Sequence, residues 1–159
     1  MSVRDELRQQ NLEIRKTIII EASPEIVFKA ITEPEEITQW FQYADQASVE
    51  PKVGGKFRLI ALNEAHPECG GRDYDTQGSI KEFIPNKKLV YTWKFDDMPD
   101  FPETIVTWEL DEIEHNKTKL ELTHSGFTGK EKGNFDIEGH TRGWTEALST
   151  LAKQCKGKE

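Results

Sequence analysis

The sequence predicts an α+β domain: an antiparallel sheet of about seven strands, two short helices after the first strand, and one long helix at the carboxyl end. Three observations predict it. From Ala44 to Ser125 apolar and polar residues alternate between clusters of turn residues, as in an antiparallel sheet with one wet face. Two helix starts, at Ser23-Pro24-Glu25 and Glu33-Pro34-Glu35, precede that region. The last segment, EGHTRGWTEALSTLAKQC, repeats its apolar residues at helical spacing.

Residues 1–12 are polar and are expected to form a flexible lead, leaving 13–159 as a single domain. EIRKTIIIEA reads as the first strand because Ile18, Ile19 and Ile20 are β-branched and stiff at χ1. Ser23 is an N-cap with proline at the first helical position, and Ile26, Val27, Ala30 and Ile31 share one side of the short helix that follows. Thr32 or Glu33 caps a second helix that opens on Pro34, Glu35 and Glu36 and carries Ile37, Trp40 and Phe41. Six strands follow, over Ala44–Glu50, Gly55–Leu62, Tyr74–Ile84, Lys88–Phe95, Glu103–Ile113 and Lys117–Ser125. Their turns are marked by Gly54-Gly55, Pro85-Asn86, Pro99 to Pro102 and His115-Asn116.

The period of two assigns one apolar face: Phe57, Leu59 and Ala61; Leu89, Tyr91, Trp93 and Phe95; Val106, Trp108 and Leu110; Leu120 and Leu122. Lys94, Thr107, Glu109, Lys119, Glu121 and Thr123 lie opposite. The terminal helix covers the apolar face with His140, Trp144, Ala147, Leu148, Leu151 and Cys155. Gly143 within it costs about 1 kcal/mol against alanine, which implies a close approach of the helix backbone to a neighbour.

Composition bounds the function. The chain has 159 residues, enough for one domain with a core that needs neither disulfide nor metal. Its 21 Lys+Arg against 29 Asp+Glu give a net charge of -8, which repels a phosphate backbone, so no nucleic-acid partner is expected. Mean hydropathy is -0.70 and no apolar run reaches the roughly 18 residues of a spanning helix. With no signal-peptide or lipidation pattern, a cytoplasmic location is expected. Cys69 and Cys155 stand alone, as reduced thiols do. His66 and Cys69 have the H-x-x-C spacing of two zinc ligands, but a structural site wants four, so neither metal nor cofactor is expected and the segment reads as a flap.

The local strings EASPEIVFKAIT and ITQWF, VGGKFRL, GSIKEFIPNKKLVYTWKF, TIVTWELDEI, TKLELTHSGF and GHTRGWTEAL, in this order from about Glu13 to Cys155, carry a resemblance. The sequence resembles the START-like or birch-pollen-allergen-like superfamily, also called SRPBCC, and within it the family of the activator of heat-shock protein 90 ATPase homologue. The resemblance implies a helix-grip fold, in which a strongly curved sheet grips the long terminal helix across a cavity for apolar small molecules. It also implies a stress-response setting and a chaperone partner. The co-chaperone that names the family engages its chaperone through a further amino-terminal domain, which the residues before Glu13 are too few to form.

Candidate ligand-binding residues are Trp40, Phe57, Leu59, Tyr91, Trp93, Phe95, Trp108, His140, Trp144 and Leu148, since rings on a sheet's inner face serve either as core or as cavity wall. A buried Tyr91 phenol needs a partner: it either orients a ligand or bonds to the backbone, the second being the expected one. His140 either meets a ligand near the cavity mouth or is a helix-end histidine, whereas His124, in line with Leu120 and Leu122, reads as a satisfied structural histidine. No nucleophile motif, phosphate loop or dinucleotide fingerprint is present, and no catalytic residue is assigned. The expected function is cytosolic binding of an apolar or aromatic molecule of lipid, polyketide-like or flavonoid-like kind. The alternatives are a cyclase- or dehydratase-type enzyme using acid–base groups such as Tyr91, His124 and His140, and a co-chaperone-like interaction module.

Overall fold

The computed structural model describes residues 12–62, 73–95, 98, 101–131 and 136–158. Residues 1–11 of the flexible lead expected over 1–12, and the segment holding His66 and Cys69, lie outside the described residues. In chain order the elements are β1 (Glu13–Ile20), α1 (Pro24–Thr32), α2 (Pro34–Trp40), β2 (Gln46–Val49), β3 (Lys56–Ala61), β4 (Tyr74–Ile84), β5 (Lys88–Phe95), β6 (Thr104–Glu114), β7 (Lys117–Ser125) and α3 (Ile137–Cys155). The strands form one antiparallel sheet in the order β1-β7-β6-β5-β4-β3-β2, so that β1 returns beside the last strand while β2 to β7 follow each other as hairpins. This is the α+β, helix-grip arrangement that the sequence predicts.

Local chemistry sets the boundaries. The Ser23 hydroxyl accepts from the Ile26 N–H at 3.3 Å and caps α1. Glu33 occupies the N-cap of α2 without a side-chain bond, while Thr32 closes α1 by donating to the Phe28 carbonyl at 2.7 Å. The helix α3 begins at Ile137, one residue before the segment read from sequence, because the Asp136 carboxylate accepts from the Gly139 N–H at 2.7 Å. The edge strand β2 is shorter than Ala44–Glu50. Beyond its ends the Asp45 and Glu50 N–H groups still donate to the Ile60 and Lys56 carbonyls, and their carboxylates accept from the Leu62 and Lys56 N–H groups. Asn86 and Asn116 take positive φ in the β4–β5 and β6–β7 turns, as short polar side chains tolerate.

Curvature enters at β4. Its register against β5 shifts between Ile80 and Glu82, and Gly78 lies so close to β5 that an added Cβ would collide with the Thr92 carbonyl. The Ser79 N–H turns to the Thr92 hydroxyl at 2.8 Å. Such a bulge bends the strand and raises its twist.

The core fills the concave face. Every inner-face residue expected from the alternation is buried, and Trp144, Ala147, Leu148, Leu151 and Cys155 meet them from α3. Trp40 joins α2 to both neighbours: its indole donates to the Ala30 carbonyl at 2.8 Å, and its ring meets Trp108 edge-on at 5.8 Å.

Candidate functional site

Where α3 begins, a cleft of about 380 Å³ lies between it and the ends of β3, β4 and β5. Its sheet wall is Ala61, Tyr74, Thr76, Trp93 and Phe95, its helix wall runs from Gly139 to Glu146, and Phe41 and Tyr43 close it after α2. The period of two explains the sheet wall: Tyr74 and Thr76 share the inward parity of Ile80 on β4, and Thr76 pairs with Phe95 on β5. The rings interlock at the back, with Trp93 5.6 Å from Trp144 and 6.1 Å from Phe41. Gly143 does not press its Cα against a neighbour, since a Cβ there would meet only Tyr43 and Gln42 at 3.9 and 4.0 Å. The close approach runs through its carbonyl, which accepts from the Gln42 amide at 3.1 Å.

Of the ten residues proposed from sequence, Trp93, Phe95, His140 and Trp144 line this cleft. Trp40, Phe57, Leu59, Tyr91, Trp108 and Leu148 lie outside its lining, packed in the core. Tyr91 stacks on Phe57 at 3.9 Å and accepts from the Trp108 indole at 3.0 Å, so its partner is a side chain and not the backbone expected. Burial pushes its phenol well above the ordinary tyrosine range.

His124 links the sheet to α3. The Trp144 indole donates to its Nδ1 at 2.9 Å, and an indole can only donate, so Nδ1 carries a lone pair and Nε2 the proton. Nε2 then donates to the Thr104 hydroxyl at 2.7 Å, and that hydroxyl donates to the Trp93 carbonyl at 3.1 Å. Every member of this buried relay is satisfied. Burial, and then the nearby His140, hold the pKa of His124 well below the usual histidine value, so the ring is neutral. His140 is half-buried, with Nδ1 3.2 Å from the Asp136 carbonyl oxygen and its ring stacked on Phe101. Of Tyr91, His124 and His140, the trio considered for acid–base chemistry, only His140 lines the cleft.

Sequence reasoning missed Phe41, Tyr43, Tyr74, Thr76, Arg142 and Glu146 in the lining. Strand parity is the signal for Tyr74 and Thr76, and i, i+3 spacing from His140 and Gly143 the signal for Glu146. Periodicity marks Phe41 only as an apolar residue of the second helix, whose C-cap it is, and Tyr43 stands outside any periodic element, so no pattern marks it. Among the described residues no group of three or more His, Cys, Asp or Glu is placed to hold a metal ion, and no helix is long and apolar enough to cross a membrane. Cys155 is buried at the end of α3, where burial pushes its thiol up to about 11.

No curated protein matches the sequence. Solved structures do. A protein of Chromobacterium violaceum superposes with a TM-score of 0.77 at 22% identity, over 93% of this chain and 99% of that one. An HSP90 activator from Plasmodium falciparum gives 0.70 at 28%, over 90% and 95%. Aha1 from Colwellia psychrerythraea, solved as a dimer, gives 0.71 at 24%, over 91% and 96%. Residues 21–156 match the family model described as Activator of Hsp90 ATPase homolog 1-like protein, which spans α1, α2, β2 to β7 and all of α3. The chain belongs to that family.

Proposed function

We propose that the protein is a cytosolic binder of an apolar, ring-containing small molecule, held in the cleft between β3–β5 and the first half of α3. The observation that carries this reading is the cleft itself: about 380 Å³, walled by rings contributed from β4, β5, α3 and the turn after α2. That volume falls within the roughly 300–1,000 Å³ of small-molecule sites, whose walls are mostly apolar and aromatic. At roughly 25 cal/mol per Å², burying about 300 Å² of ligand surface contributes about 7 kcal/mol before entropy losses.

The test is titration with fluorene, followed by amide and indole shifts. Changes are expected on Trp93, Trp144 and the Gly139–Glu146 turns of α3. Gly143→Leu, whose first side-chain carbon has room, is expected to fold and to block the site. Shifts confined to the outer-face residues Lys94, Thr107 and Glu121 refute the reading.

Family membership and the likeness to the HSP90 activator support a second reading, contact with an Hsp90-type chaperone. It predicts a raised chaperone ATPase rate in a mixture of the two proteins, which Gly143→Leu leaves unchanged if that contact lies outside the cleft.

A further inference from the structure

Resting on the reading that the cleft holds a ring-containing molecule, we propose that this ligand carries a neutral oxygen acceptor, a carbonyl group, seated between the Thr76 hydroxyl and the Trp93 indole N–H.

Among the described residues the buried side-chain polar atoms without a partner are Trp93 Nε1 and Gln42 Oε1, and the Thr76 hydroxyl makes no side-chain hydrogen bond either. Of the four indoles, those of Trp40, Trp108 and Trp144 donate to Ala30, Tyr91 and His124 at 2.8, 3.0 and 2.9 Å. The Trp93 Nε1 is buried with no partner, and the residue is only 4% exposed. Among the buried threonines, Thr104 and Thr118 donate to backbone carbonyls, and Thr92 accepts from the Ser79 N–H. Thr76, 7% exposed, makes no side-chain hydrogen bond among the described residues. The remaining unpartnered buried atom is Gln42 Oε1, whose amide nitrogen already bonds the cleft-lining Gly143 carbonyl.

Of these residues Thr76 and Trp93 line the cleft, and they are neighbours. Thr76 pairs with Phe95 across β4 and β5, and Trp93 stands two residues from Phe95 on the same face, which makes Thr76 and Trp93 a diagonal cross-strand pair. An indole can only donate and a hydroxyl can do so, whereas one carbonyl oxygen has two lone pairs and accepts from both. The chemistry of the wall selects a neutral group. A carboxylate there would be stripped of water among the Phe41, Phe95 and Trp144 rings, while Arg142, the nearest lining cation in sequence, is exposed on the helix side.

Fluorene and 9-fluorenone differ by one oxygen on the same ring frame and test the assignment. The wild type is expected to bind fluorenone about tenfold more tightly than fluorene, the worth of one well-made buried hydrogen bond. The Trp93 indole N–H resonance should move with fluorenone and stay in place with fluorene. Thr76→Val keeps the shape and removes no protein hydrogen bond, so it should retain fluorene affinity and lose most of the preference. Equal affinity for the two compounds with an unmoved Trp93 indole overturns the acceptor site and leaves the cleft reading standing. A fluorenone preference that survives unchanged in Thr76→Val also overturns it. Failure of both compounds to bind removes the cleft reading itself, and this proposal with it.

Discussion

Acidification should loosen this protein through His124, which is fully buried where the sheet meets α3. In the folded state the ring accepts from the Trp144 indole, so protonating Nδ1 would set two donors against each other, and burial opposes the charge. The folded pKa is thus depressed while the unfolded value stays near 6.5. Between those two values only the unfolded chain takes up the proton. Stability from this group is therefore complete above about pH 6.5 and is lost as the pH falls below it, by up to about 1.4 kcal/mol per unit. At pH 5.0 the loss is at most about 2 kcal/mol relative to pH 7.5, the limit for a ring that stays neutral in the folded state. The carboxylates held low, Asp75 by its bond from Arg58 and Glu131 by bonds from Thr128 and Gly129 that outweigh its burial, lose their contribution below about pH 4.5, outside this window. The assay is urea denaturation by tryptophan fluorescence at several pH values, for wild type and His124→Asn. The variant is less stable throughout, but its profile from pH 7.5 to 5.0 should be flatter by up to about 2 kcal/mol. Parallel profiles, or a His124 ring that titrates near 6.5 in the folded protein, refute the argument.

Other perturbations read the same structure at different points. Trp144→Ala should cost about 3–5 kcal/mol in thermal or chemical denaturation, since it removes a ring that meets Trp93, Trp108 and Phe41; a loss under about 1 kcal/mol would show that the ring is not an anchor. Gly78→Ala should cost at least about 2 kcal/mol, because its Cβ must displace the Thr92 carbonyl and with it the β4–β5 ladder; a neutral effect would place the strands farther apart than described. Elemental analysis of protein purified without chelator should find no stoichiometric zinc, and zinc that disappears with Cys69→Ser would make His66 and Cys69 a metal site.

What the sequence determined by itself is the set of elements and the face each one buries. The period of two along KLVYTWKF sends Leu89, Tyr91, Trp93 and Phe95 to one side whatever the strand pairs with, and the spacing from Trp144 to Cys155 does the same for α3. Ser23-Pro24 starts its helix through bonds made within three residues. Element ends were less legible: Asp136 sets the start of α3 with a side-chain bond to the Gly139 N–H that no apolar pattern announces.

Only the tertiary structure decided which inward rings are core and which are cleft wall. Tyr91 and Trp93 have the same parity on the same strand, yet Tyr91 stacks on Phe57 and accepts from Trp108, whereas Trp93 lies opposite the start of α3 and lines the cleft. The partners of polar groups are equally non-local: Trp144 meets His124 from 20 residues away, and Gln42 meets Gly143 from 101. Periodicity fixes a side chain's direction relative to its own backbone. It carries no information on how far a second element extends across that face, and this extent separates a filled core from an open cleft.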